Sequence, residues 1–224
     1  MTNNASLASK ISKVYEIFDK VFTDFSLGSV FLSFNGGKDC TVLLDLLIRY
    51  INENPSKFKE SEKASDLRII YIQPANPFEE VDRFVEECKT HYDVKIQKES
   101  GNLKKILESV CQDNLELKAV FMGCRRTDPY CEDLNELQPT DAGWPPLLRV
   151  NPILDWVCAD VWSYIRSESV PYCTLYDEGY TSLGDKTNTT KNPHLKIVDA
   201  ENGNVSYRPA FELTDDSQER AGRQ

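Results

Sequence analysis

Residues 30–44 read VFLSFNGGKDCTVLL, and the rest of the chain is organised around them. Val30 to Phe34 is a β-branched and aromatic run, the pattern of a buried strand. Asn35-Gly36-Gly37 breaks it. Thr41 to Leu44 opens a helix whose apolar face continues through Leu46, Leu47 and Ile48. Two adjacent glycines between strand and helix let the backbone approach a ligand closely. The first N–H groups of the helix are unpaired and point into the gap. That arrangement suits a phosphate, and Lys38 adds a positive charge beside it.

The loop departs from the Walker A pattern, because Lys38 is followed by Asp39 and not by Ser or Thr. An ordinary glycine-rich turn is the competing reading, and Ser33, Asn35, Lys38 and Asp39 together argue against it. The stretch SFNGGKDC resembles the SGGKDS-type loop of the adenine nucleotide α-hydrolase superfamily. Members of that superfamily cleave ATP between the α and β phosphates and often leave AMP on an acceptor.

Outward from the loop, strand and helix alternate. Leu7, Ile11, Val14, Phe18, Val21, Phe22 and Phe25 recur at spacings of three and four. They predict an amphipathic helix of about twenty residues, capped from Ser6 or Asn4 and stopped by Gly28. Asn52 to Asp66 is a charged, exposed connection. Leu67 to Ile72 is the second strand, Phe78 to Tyr92 a helix, Asp93 to Ile96 a third strand, Leu103 to Val110 a helix and Lys118 to Met122 a fourth strand. The expected fold is α/β, a Rossmann-like, mostly parallel sheet with helices on both faces and right-handed crossovers. In such sheets ligands bind beyond the carboxyl ends of the strands. Those ends are Asn35-Gly36-Gly37, Gln73-Pro74, Gln97-Lys98 and Gly123 to Arg126.

The second half departs from this alternation. Cys124 to Arg149 is a long polar loop, of the kind that is usually functional in a compact domain. Val150 to Leu154 is a short extended piece and Asp155 to Ser167 a helix. Val170 to Gly184 is extended with turns, Thr187 to Asn204 a polar loop, Val205 to Ala210 a small strand, and Glu212 to Gln224 a charged tail whose pattern admits a helix. We expect one domain over 1–224, with a nucleotide-binding core to about 155 and a loop-rich C-terminal extension from about 156.

With 224 residues there is enough chain for a sizeable core. The net charge of −10 provides no basic field for a general nucleic-acid binder, so an anionic substrate must be held by a local cluster of Lys and Arg. The seven cysteines form no CxxC pair, and two distant histidines complete no zinc signature. We read the cysteines as reduced thiols in a cytoplasmic protein. MTNNASLASK has no apolar h-region and no arginine, so no signal or transit peptide is expected. No apolar run is long enough to cross a bilayer.

Two further groups carry chemistry. Arg125-Arg126-Thr127-Asp128-Pro129 ends the fourth strand and presents two guanidinium forks, suited to phosphate; a solvated basic turn is the alternative. Asp141-Ala142-Gly143-Trp144-Pro145-Pro146, with Arg149, offers a Trp face for a planar ring and a carboxylate for a ring N–H; a loop anchored by its Trp is the alternative. The aromatic-rich segment 170–184 suits a lid or wall.

GCRRTDPYC, PTDAGWPPLLRVNPILDW, DVWSYI and VPYCTLYDEGYTSLGDKTNTTKNP together resemble the eukaryotic-type FAD synthetases (FMN adenylyltransferases), in the PAPS-reductase-like branch of the superfamily. The resemblance runs from about Ser29 to the C-terminus. It implies transfer of AMP from ATP to FMN, giving FAD and pyrophosphate, with Mg²⁺ as cofactor. The partners are then small molecules, ATP and FMN, with no nucleic acid and no membrane, and the protein is expected to be a monomer.

Roles follow from the same resemblance. Gly36, Gly37 and Lys38 hold ATP phosphates, with Ser33 in the same loop. Asn35 and Asp39 orient the reacting phosphates and the Mg²⁺, directly or through water. Arg126 and Asp128 lie at the edge of the flavin-phosphate site. Asp141 accepts from the isoalloxazine, Trp144 packs on it, and Arg149 belongs with them. Arg220 and Arg223, in ERAGR, reach back onto the phosphates and join Asn35, Asp39 and Asp128 as the catalytic set. Cys40 stands where much of the superfamily has Ser. No cysteine follows Cys173, which argues against reductase chemistry. Two alternatives remain: a non-catalytic flavin or nucleotide binder, and another adenylating enzyme that cleaves ATP between the α and β phosphates.

Overall fold

The computed structural model describes residues 2–224, with side chains from Leu7 onward. Its centre is a six-stranded sheet built from β1 (Val30–Phe34), β2 (Arg68–Gln73), β3 (Ile96–Ser100), β4 (Ala119–Met122), β5 (Leu137–Pro139) and β6 (Leu148–Val150). The order is β3-β2-β1-β4-β6-β5; all neighbours are parallel except the β5–β6 pair. Five helices accompany it: α1 (Thr2–Asp24), α2 (Lys38–Glu53), α3 (Glu79–Tyr92), α4 (Leu103–Asp113) and α5 (Cys158–Glu168).

The Rossmann-like expectation is met, and the two faces are unequal. Alternation along β1 sends Val30, Leu32 and Phe34 into a large core with α1, α2, α3 and α5. Phe31, with Ile70 of β2 and Val120 of β4, points to the opposite face. Among the described residues, α4 and the segment at Trp144 and Leu147 form the apolar cover of the sheet there. The thinner cover leaves room for a ligand on that side.

Several boundaries differ from the sequence reading. The first helix reaches back to Thr2; Asn4 and Ser6, expected at its cap, lie inside it, and their side chains are outside the described residues. The helix after the loop begins at Lys38, three residues before the expected Thr41, because Gly37 supplies the extended N-cap backbone. β3 lies at Ile96–Ser100 and not at 93–96. It is an edge strand with mostly exposed polar side chains, which hydrophobic patterning does not detect. The long loop 124–149 contains β5. The chain turns after β6 instead of staying extended over 150–154, and α5 begins at Cys158, later than the expected Asp155.

The last quarter of the chain is loop-rich, as expected, with short turns and a hairpin of β7 (Lys196–Val198) and β8 (Val205–Tyr207). The tail is not a helix. It makes one turn at Asp216–Gln218 and runs back along residues 188–192, where Thr190 N–H donates to the Gly222 carbonyl and Gln224 N–H to that of Asn188. Gly222 is required there, since a Cβ would stand 2.3 Å from the Thr190 carbonyl oxygen. This docking carries the end of the chain to the carboxyl edge of the sheet.

Candidate active site

The loop after β1 is shaped by three contacts. The Asn35 carboxamide oxygen accepts the Gly37 N–H at 2.8 Å. Gly36 adopts φ +72°, and a Cβ on it would come within 2.7 Å of Val81 on α3. Gly36 is therefore committed to packing on α3, and the close approach to a ligand falls to Gly37. The Lys38 N–H at the start of α2 donates to the Tyr176 hydroxyl at 2.9 Å. Among the described residues, the N–H groups of Asp39 and Cys40 take no protein acceptor, leaving the positive end of α2 open.

Behind the loop lies a buried charge cluster. Lys38 is 1% exposed, and its ammonium bonds Glu219, Asp39 at 3.2 Å and the Thr181 carbonyl. Arg125 is 2% exposed; its guanidinium reaches Glu219 at 2.6 Å and Asp39 at 2.8 Å. Burial alone would strip the charge from Lys38, and the carboxylates of Asp39 and Glu219 outweigh it. For Glu219, burial opposes ionisation, and Lys38 and Arg125 overcome it and hold the carboxyl down at about 2. Lys38 was expected to grip ATP phosphates; the structure instead ties its ammonium into this cluster.

Asp128 closes the turn after β4 by accepting the Arg125 N–H at 3.0 Å. Burial raises its carboxyl, partly opposed by that N–H. Its other oxygen lies 3.6 Å from Arg220. Arg223 donates to the Leu183 carbonyl at 2.9 Å, packed over Gly184, where any Cβ would stand within 2.5 Å of the guanidinium. The Arg223 Nε is buried without a partner, and burial together with the neighbouring Arg220 charge lowers its pKa. Two guanidinium groups that repel each other across a cavity form a site that an anion stabilises.

Three cavities run side by side along the carboxyl edge of the sheet. The middle one, of about 350 Å³, is lined by Ser33, Asn35, Gly37, Lys38, Asp39, Asp128, Arg220 and Arg223. All five residues read as catalytic meet there. Towards β2 and β3 it shares Asn35, Leu183 and Gly184 with a cavity of about 250 Å³, walled by Ile72, Pro74, Pro77, Phe78 and Val81. Towards α4 it shares Ser33 and Met122 with a cavity of about 420 Å³ on the thinly covered face. Asp141, Trp144 and Arg149 line this third cavity, as the sequence reading grouped them. Gly36 lines none of the three. Arg126 lines none either: it bonds Asp155 and the carbonyls of Glu132 and Leu134, pinning the loop it starts.

Sequence reasoning did not single out Glu219, Tyr176, Tyr130 or the first apolar cavity. Glu219 stands next to Arg220 in ERAGR, so adjacency was a usable signal. Tyr130 holds φ +63° and is 94% exposed at the third cavity, an unusual placement for an aromatic side chain. Cys40 and Cys124 line the middle cavity, and burial pushes their thiols up to about 12 and about 11, so neither is a nucleophile at neutral pH.

Among the described residues, no three His, Cys, Asp or Glu are grouped to hold a metal ion by themselves. The middle cavity does present two carboxylates, Asp39 at 20% and Asp128 at 24% side-chain exposure, with the Asn35 carboxamide nearby. One or two carboxylates are what Mg²⁺ takes from protein when phosphates and water supply the rest. The donor set fits that kind of ion.

The phosphoadenosine phosphosulfate reductase domain model matches residues 29–110 and 101–191. A probable FAD synthase of Schizosaccharomyces pombe is 37% identical over 219 residues, covering 97% of this chain and 80% of that protein. The fold superposes on Candida glabrata FMN adenylyltransferase in complex with FMN and the ATP analog AMPCPP, with a TM-score of 0.88, 29% identity and coverage of 98% of this chain and 90% of that one. The same values hold for that protein in complex with FAD and inorganic pyrophosphate.

Proposed function

The chain belongs to the FAD synthase family, and on that premise we propose that its three cavities hold ATP and FMN end to end and join them. It is an FMN adenylyltransferase, transferring AMP from ATP to FMN to give FAD and pyrophosphate. One observation carries the assignment of parts: an apolar cavity, a charged cavity and a second apolar cavity stand in a row with shared walls. A dinucleotide has that polarity, with a ring at each end and phosphates between. The adenine belongs in the cavity of Phe78 and Pro77, and the flavin ring in that of Trp144, Asp141 and Tyr130. The phosphates belong between Gly37, Arg220 and Arg223.

The FMN phosphate attacks the α-phosphorus and pyrophosphate departs. A phosphate monoester is largely ionised near neutral pH, its second pKa being about 6. No strong general base is needed, and the task is positioning and neutralisation of charge. The open N–H groups of Asp39 and Cys40 and the Arg220–Arg223 pair supply the positive field. Tyr176, which burial keeps protonated, accepts the Lys38 N–H and lines the same cavity, so its hydroxyl proton is free to be donated to a phosphate oxygen there. Asp128 orients Arg220 through their contact at 3.6 Å. Arg149 sits at the flavin ring cavity, donating to Asn151 at 3.1 Å. Arg126 acts at one remove, by fixing the loop that ends at that cavity.

Mg²⁺ is part of the proposal: Asp39 and Asp128 would hold it, with Asn35 directly or through water, and it would neutralise phosphate charge when bound. The protein is proposed to act as a monomer. No helix of the described residues is long and apolar enough to cross a membrane. The seven cysteines are unpaired, which supports a cytoplasmic reading.

The test is a chromatographic assay of purified protein with FMN, ATP and Mg²⁺, following FAD and pyrophosphate. We expect the two products in step. FMN binding without FAD would favour a non-catalytic binder. ATP cleavage to AMP and pyrophosphate without FAD would assign a different acceptor and remove Asp141 and Trp144 from the flavin site.

A further inference from the structure

The charge cluster behind the phosphate cavity has one member supplied by the tail. Glu219 is 4% exposed, and a single oxygen of its carboxylate bonds both the Lys38 ammonium and the Arg125 guanidinium. Its carbonyl accepts the Thr181 hydroxyl at 2.6 Å, and Thr181 in turn accepts from Asn192 at 2.9 Å. Asn192 also donates to the Gln218 carbonyl at 2.8 Å. The residue is thus fixed through both backbone and side chain. Arg220 follows it, and Arg223 lies one turn further on; both line the cavity.

Lys38 and Arg125 also both touch Asp39. Two buried cations are therefore divided chiefly between Asp39 and Glu219, with Asp128 4.0 Å from Arg125, and of the three carboxylates Glu219 lies deepest. Buried ion clusters are poor sources of stability compared with apolar packing of the same volume. Their use is in fixing geometry, and here the geometry fixed is that of the reacting site. Resting on the adenylyl-transfer reading above, we propose that Glu219 is a positioning residue for that reaction. It shares Lys38 and Arg125 with Asp39, so that Asp39 does not carry both cations alone and keeps charge for the substrate side. It also anchors the segment from which Arg220 and Arg223 reach the phosphates.

The test compares Glu219→Gln, which keeps the size and removes the charge, with Glu219→Asp, which keeps the charge and shortens the arm. FAD formation, ATP binding by calorimetry and FMN binding by quenching of flavin fluorescence are measured for each. We expect Glu219→Gln to lower kcat about 100-fold, the cost of a misplacement of about an ångström, and to weaken ATP binding. FMN binding should stay unchanged, and Glu219→Asp should be the milder of the two. A pure packing role predicts the reverse order, and that order overturns the proposal. So does an unchanged kcat in Glu219→Gln. If Glu219→Gln does not fold, Thr181→Val loosens the same anchor without altering charge; it should lower kcat, and an unchanged kcat there overturns the proposal. Wild-type protein that makes no FAD sinks the reaction and not this inference, which is then decided by ATP binding alone.

Discussion

Asp39→Ala should cost this protein stability as well as turnover. The carboxylate lies 2.8 Å from Arg125 Nε and 3.2 Å from Lys38 Nζ, and those cations are 2% and 1% exposed. Removing it leaves Glu219, with Asp128 4.0 Å from Arg125, to balance two buried positive charges. Breaking a buried pair costs about 3–5 kcal/mol; the one-fifth exposure of Asp39 and the surviving Glu219 contacts place this case near the lower end, about 3 kcal/mol. For a chain of this size each kcal/mol moves Tm by about 2–4 °C, so a drop of about 6–12 °C is expected. Asp39→Asn, which retains the shape and an acceptor, should fall less far. Scanning calorimetry gives Tm, and the FAD assay gives turnover, which should be abolished in both variants. A Tm within about 2 °C of wild type would refute the idea that Asp39 balances the buried cations. Near-normal kcat would remove it from the catalytic set.

Trp144 is half-buried against the α4 side of the sheet and lines the third cavity. Trp144→Ala should weaken FMN binding by about 1–3 kcal/mol, read by flavin fluorescence; a fall in Tm with FMN affinity intact would make it a loop anchor only. Asp141→Ala should raise KM for FMN more than for ATP, and equal rises would move Asp141 away from the flavin. The Glu219 carboxyl, at about 2 in the fold against an ordinary 4.5, contributes stability that is full above about pH 4.5 and is lost as pH falls toward 2. That difference corresponds to about 3 kcal/mol, so urea midpoints should fall on acidification in wild type and fall less in Glu219→Gln.

Local chemistry made much of this legible. The β1 run, the break at Gly37 and the Asp141–Trp144 segment carry their signals in neighbouring residues, and the structure shows a buried strand, a helix start and a cavity wall at those positions. What stayed hidden depends on distant partners. Lys38 looks like a phosphate ligand until Glu219, 181 residues away, is brought to it. Arg125 and Arg126 read alike as free forks, yet the turn after β4 buries one in the cluster and sends the other out to Asp155. β3 escaped because an edge strand needs few apolar side chains. The cavity of Phe78 and Pro77 escaped because ordinary apolar residues line it, and only the sheet order gathers them.

The long reach of Glu219 has a consequence for how the protein comes into being on the ribosome. Its contacts to Lys38 and Arg125 span 181 and 94 residues. Domains fold from the N-terminal side as synthesis proceeds, and contacts of high sequence separation form last. The sheet and α1 to α5 are complete by Glu168, before residue 219 has been added. Through that interval Lys38 and Arg125 have Asp39, and Asp128 at 4.0 Å from Arg125, but not the deep carboxylate of Glu219, so closing the core around them leaves the cluster one carboxylate short. Docking of the tail therefore completes the charge cluster and, in the same step, brings Arg220 and Arg223 to the cavity they line. A nascent chain stalled before residue 219 should remain protease-sensitive around the β1–α2 loop and be inert toward ATP.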